Sequence, residues 1–151
     1  MSSAAEARFR VQAPNSLPRS IKVIALDGSG EAVVRRVAAS GWTRATFFTM
    51  EPGDAGLSDL GGGRRSIAQE IESADLVILV AGPGGQAHAA ARIGEACSRV
   101  RVMTTGLVVG GAAASDTALS KTLAQLRPWS LMLVMAGNDD YIDDMMTALR
   151  A

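Results

Sequence analysis

One cysteine, Cys97, stands in the whole chain, which excludes an internal disulfide and any metal site built on several thiolates. A lone thiol suits a reducing compartment, and the cytoplasm is the location to expect. Aromatic residues make up only 4% of the sequence. An aromatic-lined ligand barrel fits that poorly, and Trp42 and Trp129 have no paired aromatic with which to form a base-stacking platform. Charge of one sign is not in surplus, because 15 basic residues balance 15 acidic ones. No overall field draws the chain to nucleic acid or to an anionic membrane, so neither is expected as a partner. Long hydrophobic runs are missing too. The apolar stretches 74–82 and 102–114 are too short or too glycine-rich for a span of about twenty apolar residues. Residues 1–20 lack the apolar segment of a secretory signal.

Several catalytic signatures are also absent. There is no G-x-x-x-x-G-K-[ST] phosphate loop, no G-x-S-x-G nucleophile turn, no H-E-x-x-H zinc site and no cysteine pair. Gly28-Ser29-Gly30 is followed by Glu31-Ala32-Val33, which leaves the G-x-G-x-x-G dinucleotide signature incomplete.

What is present is the patterning of one α/β domain. A chain of 151 residues can bury a real core unaided, and 48% of it is hydrophobic, mostly Ala, Val, Leu, Ile and Met. Residues 1–20, with Pro14 and Pro18, carry no periodic apolar pattern and read as a flexible tail; the domain is 21–151. A β-branched run from Ile21 ends at Asp27-Gly28-Ser29-Gly30, after which Val33, Val37 and Ala38 recur at helical spacing. A second strand spans 45–50. Helix is predicted again from about Arg64, with Ile67, Ala68 and Ile71 on its apolar face. The most hydrophobic strand, 74–81, runs into Gly82-Pro83-Gly84-Gly85 and a helix of small residues, Ala89, Ala90, Ile93, Ala96 and Cys97. Strand 101–109, helix 115–126, strand 131–135 and a last helix capped by Asn138 or Asp139 complete the chain. Alternating strands and helices imply right-handed parallel crossovers. The expected fold is a three-layer Rossmann-like sandwich with a mostly parallel five-stranded sheet, order 2-1-3-4-5, and helices on both faces.

In that order the sheet reverses between its first and third strands, and open α/β sheets bind ligands beyond the strand ends at such a point. Both glycine-rich turns end there, each leading to a helix N-terminus with free N–H donors. Gly28, Ser29, Gly30, Gly82, Gly84, Gly85 and Gln86 are therefore candidates for phosphate binding, although tight turning alone also explains the glycines. Asp27 opposes an anion unless a Mg2+ ion lies between them. His88 opens the helix after the second turn, where it can contact a ligand, but no Ser, Cys or carboxylate is placed to form a catalytic relay with it. Gly61-Gly62-Gly63-Arg64-Arg65 offers two guanidiniums to a phosphate, or a flexible loop with solvated arginines. Asp139, Asp140, Asp143 and Asp144 suggest helix capping over a metal cluster, and Cys97 a small core residue.

Four segments resemble, in order, the N-terminal nucleotide-binding half of the FtsZ/tubulin family. Ile21-Lys22-Val23-Ile24, the glycine turn and Glu31-Ala32-Val33-Val34-Arg35 are similar to its first strand, its first glycine loop and its N-A-V-x-R helix start. Ala74-Asp75-Leu76-Val77 through Gly82-Pro83-Gly84-Gly85 resembles the A-D-x-V strand and the start of the G-G-G-T-G-T-G loop. Leu107-Val108-Val109 resembles the next strand, and Leu123 to Leu126 with Met132 to Asp139 the segment ending in Asn-Asp beside the nucleoside. The resemblance implies GTP or GDP, with Mg2+, on the glycine turns and Asn138 near the base or sugar. The chain departs from the pattern at Asp27, where the family has glycine, and in Gln86-Ala87-His88-Ala89, which replaces the threonines and later glycines. It also stops after the Asn-Asp match, before the family's central helix and second domain.

Three functions are compatible with these residues. The first is a degenerate FtsZ-like domain that makes protein contacts, as a homodimer through its Met- and Ala-rich helices or with another protein, and does not hydrolyse GTP independently. The second is a non-hydrolysing guanine-nucleotide module, and the third is a small NAD-type Rossmann domain with Glu51 toward the ribose.

Overall fold

The computed structural model describes residues 20–84, 87–111, 114–137 and 140–151. Its elements are β1 (Ile21–Ala25), α1 (Gly28–Ala38), β2 (Ala45–Met50), β3 (Leu57–Asp59), β4 (Arg64–Arg65), α2 (Ile67–Glu72), β5 (Leu76–Ala81), α3 (Ala89–Val100), β6 (Met103–Val108), α4 (Asp116–Leu126), β7 (Met132–Met135) and α5 (Tyr141–Ala148). Residues 1–19 of the expected tail lie outside the described residues. Ser20 is already tied to the sheet: its N–H donates to the Asp75 carboxylate at 2.7 Å and its carbonyl accepts from Asp75 N–H at 2.8 Å.

The sheet has seven strands in the order β4-β3-β2-β1-β5-β6-β7. The strands β2, β1, β5, β6 and β7 are parallel, while β3 and β4 add an antiparallel hairpin at one edge. The five-stranded expectation is therefore corrected to a mixed sheet of seven. The hairpin was hidden because its strands are only three and two residues long, too short to show a period. It also displaces the helix start expected at Arg64. Both arginines lie in β4, and α2 begins at Ile67, where the Ser66 hydroxyl accepts from Gln69 N–H at the N-cap.

β5 is buried on both faces, so it reads as an unbroken apolar run. Its side chains still alternate. Val77, Leu79 and Ala81 join Ile71 of α2, Ala90 and Ile93 of α3 and Leu126 of α4 on one face. Leu76, Ile78 and Val80 join Val34 and Val37 of α1 and Ile142 and Met146 of α5 on the other. Two separate cores, one on each side of the sheet, make the three layers. Cys97 is in the first core and burial pushes its thiol pKa up, as for a small core residue. Lys22 is the unusual member of β1. Its ammonium lies 3.0 Å from the Glu70 carboxylate of α2 and 5.8 Å from the centre of the Phe48 ring, and these contacts offset the cost of burying a charge in a central strand. None of the helices among the described residues is long and apolar enough to cross a membrane.

Candidate functional site

The switch point between β1 and β5 is where the sequence placed it, and the two glycine turns do meet there. Leu26 N–H donates to the Val80 carbonyl at 2.9 Å, which carries the end of β1 alongside the end of β5. Asp27 then takes an extended conformation and caps α1. Its Oδ1 accepts from Gly30 N–H at 2.8 Å, the usual N-cap bond. The same carboxylate also reaches across to the second turn and accepts from Gly82 N–H, at 3.0 Å through Oδ2 and 3.2 Å through Oδ1. One internal carboxylate thus holds N–H donors from both turns, and it sits at the positive end of α1 where an anion is favoured.

The glycines are accounted for by this approach. A Cβ on Gly30 would collide with the Val80 carbonyl, and a Cβ on Gly82 with the Ser29 side chain, so both are needed to let the turns close on each other. Gly28, by contrast, faces open space.

The second turn is satisfied from α4. Gly84, at φ 75°, donates its N–H to Thr122 Oγ1 at 3.0 Å and to the Ala118 carbonyl at 3.2 Å. The fully buried Thr122 hydroxyl donates in turn to the Gly82 carbonyl at 3.2 Å. Ala87 N–H donates to Gln125 Oε1 at 3.0 Å, and Gln125 Nε2 lies 3.2 Å from His88 Nδ1. With Oε1 accepting from Ala87, the Gln125 amide nitrogen is the donor and Nδ1 the acceptor, which sets the His88 tautomer. His88 stands at the N-cap position of α3 without a side-chain capping bond, and its partner is an amide with no acid–base role. Gly85, Gln86 and Asn138, the other expected site residues, lie outside the described residues, as does Asp139.

Thr122 and Gln125 were not found from sequence. Their signal was polar residues three apart on the same helical stripe as Leu119 and Leu126, a face that otherwise turns inward.

Beside Asp27, a cavity of about 240 Å3 opens at the ends of β1 and β2, lined in part by Asp27, Glu31, Glu51 and Asp54. Four carboxylates give it a negative field, opposite to what a phosphate needs. Glu51 does follow β2, as a ribose-binding acid would, and its Oε1 lies 3.6 Å from Arg64 Nε. The triple glycine is a hairpin turn. Asp59 Oδ1 accepts from Gly61 and Gly63 N–H at 2.9 and 2.8 Å, and Gly63, Gly61 and Arg65 together hold the Asp59 carboxyl below its ordinary pKa. Arg64 and Arg65 line a separate cleft of about 690 Å3 with Arg92 and Arg99 of α3. Asp143 at the start of α5 pairs with Arg36 at 2.9 Å, and no metal-holding group of acids, histidines or cysteines occurs among the described residues.

No known family profile and no curated protein matches this sequence. Solved structures do. The empty FtsZ dimer of M. jannaschii aligns over 95% of this chain with a TM-score of 0.61 at 13% identity. Elongation factor SelB from Methanococcus maripaludis, in complex with a GTP analogue, aligns over 87% of this chain and 33% of its own, at 10% identity and a TM-score of 0.47. The chain spans about half (52%) of the FtsZ chain it matches. What the first likeness shows is the fold: this is an α/β sandwich of the FtsZ type.

Proposed function

We propose that this chain is a degenerate FtsZ-like domain, closed at its phosphate end by its own carboxylate, that works through protein contacts and does not hydrolyse GTP by itself. The observation that carries this reading is the Asp27 carboxylate on Gly30 and Gly82 N–H. Phosphate oxygens would compete for the same two donors and would meet like charge within hydrogen-bonding distance. Thr122 and Gln125 occupy two more donors of the second turn.

The alternative, a non-hydrolysing guanine-nucleotide module, draws on the FtsZ-type fold and on Gly28, whose open side leaves room at the start of α1. In that reading Gly28, Ser29, Gly30, Gly82, Gly84 and Gly85 surround the phosphates, with Gln86 and His88 beside them, Asn138 toward the nucleoside and Mg2+ between the phosphates and Asp27.

Calorimetric titration with GTP, GDP, ATP and NAD, with and without Mg2+, separates them. The closed-site reading expects no saturable binding by the native chain at millimolar ligand. Saturable guanine-nucleotide binding that disappears in Gly84→Leu would establish the alternative, and NAD binding alone would revive the dinucleotide reading.

A further inference from the structure

The two edges of the sheet are built differently. At one edge β4 presents Arg64 and Arg65, charges of the kind that discourage another strand from adding. At the other, β7 reads Met-Leu-Val-Met, and among the described residues no strand lies beyond it. Leu131, Met132 and Met135 are 77%, 59% and 52% exposed, and Met103 on the neighbouring β6 is 54% exposed. Four of the six large apolar side chains exposed among the described residues are thus gathered at one edge. The helix faces are not available in the same way. Ala89, Ala90, Ile93 and Cys97 of α3, and Ile142 and Met146 of α5, are spent on the domain's own cores.

An open strand edge offers a row of backbone donors and acceptors that only extended backbone can satisfy. The chemistry of this edge says which backbone. From Ser130 to Gly137 there is no charged residue, so a copy of the same strand meets no like-charge repulsion, whereas two copies of β4 would bring four guanidiniums together. A strand that meets its own copy about a two-fold axis also closes, and does not propagate.

We propose that β7 is a homodimer interface, where a second copy adds its β7 antiparallel about a two-fold axis at Leu133, which joins the two sheets into one. This rests on the protein-contact reading above and names its first partner. In that register Leu131 faces Met135 of the other copy, Met132 faces Val134, and Leu133 faces itself. All five positions are apolar, and Leu131, Leu133 and Met135 lie on the same side of the strand as the α3–α4 core.

The test is sedimentation equilibrium of the full chain and three variants, at high micromolar concentration. The native chain sediments at twice 15.6 kDa. Leu131→Lys and Met135→Glu each place a charge against an apolar partner and weaken the dimer at least about tenfold. The double variant sets opposite charges across the axis, twice, and restores it. Both positions are exposed in the monomer, and a single cooperative urea transition in each variant confirms that it folds. A native monomer overturns the proposal, as does a dimer indifferent to both single changes or a double variant that stays monomeric. None of these results depends on nucleotide. A monomer that binds no GTP leaves the closed-site reading intact, and a dimer that binds GTP removes that reading and leaves the interface.

Discussion

Replacing Asp27 tests whether the junction of the two glycine turns depends on a carboxylate. In Asp27→Ala the helix loses its N-cap, which costs about 0.5–2 kcal/mol. Gly82, which is buried, loses the Asp27 carboxylate that accepts from its N–H, at about 1–3 kcal/mol. The two effects share one side chain and overlap, so the expected loss is about 2–4 kcal/mol. With a urea slope of about 2 kcal/mol per molar, the midpoint falls by about 1–2 M. Asp27→Asn keeps a cap of equal rank and one carbonyl oxygen, and should lose no more than about 1 kcal/mol, chiefly the charge assistance. The two variants should therefore rank in that order by chemical denaturation. A second measurement uses inorganic phosphate. The donors vacated in Asp27→Ala can take a phosphate oxygen, so added phosphate raises the midpoint of this variant by mass action beyond the general salt stabilisation that the native chain also gains. Two results would refute the reasoning. One is a loss below about 0.5 kcal/mol in Asp27→Ala, which would mean that the donors are met elsewhere. The other is equal stabilisation of the native chain by phosphate.

Three further outcomes follow from the packing. Glu70→Ala leaves the Lys22 ammonium, only 9% exposed, without its partner; it should cost about 3–5 kcal/mol by urea denaturation, while Lys22→Met combined with Glu70→Met recovers most of it. Gly94→Ala in the middle of α3 would ordinarily gain up to about 1 kcal/mol of helix propensity. Here a Cβ would lie 2.6 Å from the Trp129 side chain, so the variant should instead lose about 1–3 kcal/mol, and a raised melting temperature would contradict the packing. The Asp59 carboxyl has a depressed folded value, so what it contributes to the hairpin is present above the ordinary aspartate value of about 3.9 and fades as pH falls through the depressed one. The amide resonances of Gly61 and Gly63 should titrate together with a midpoint below that value and become pH-independent in Asp59→Ala.

The parallel part of the fold was legible because its signals are long. Six apolar residues in β5, each followed or preceded by a turn and a helix, leave few other arrangements. The hairpin was not, since two- and three-residue strands carry no period and the arginines of β4 read equally well as a helix start. At the site, sequence brought Asp27, Gly28, Gly30 and Gly82 to one place but read Asp27 as an obstacle to phosphate or a partner for Mg2+, and not as the acceptor that joins the two turns. Its bond to Gly82 spans 55 residues and no local pattern encodes it. Thr122 and Gln125 escaped for the same reason, because their partners in the second turn are 37 to 40 residues away.

Glycine turns at helix starts create an obligation as well as an opportunity. Their N–H groups are aimed at one point, and a buried donor that finds no acceptor costs about as much as a sizeable core mutation. A turn of this kind must therefore be filled, by a ligand or by the protein. This chain supplies the acid Asp27, the hydroxyl Thr122 and the amide Gln125, and the last two come from α4, whose position is otherwise set by Leu119, Leu123 and Leu126 in the core. The filling is thus coupled to the packing of α4. Emptying the turns one acceptor at a time separates the two roles. Gln125→Ala takes the acceptor from one donor, the N–H of the buried Ala87, and should cost about 1 kcal/mol, whereas Thr122→Val places a methyl where the Gly82 carbonyl and Gly84 N–H both meet a hydroxyl and should cost about 2–3 kcal/mol. If both variants are as stable as the native chain, α4 is held by its leucines alone and the polar contacts to the turn are incidental.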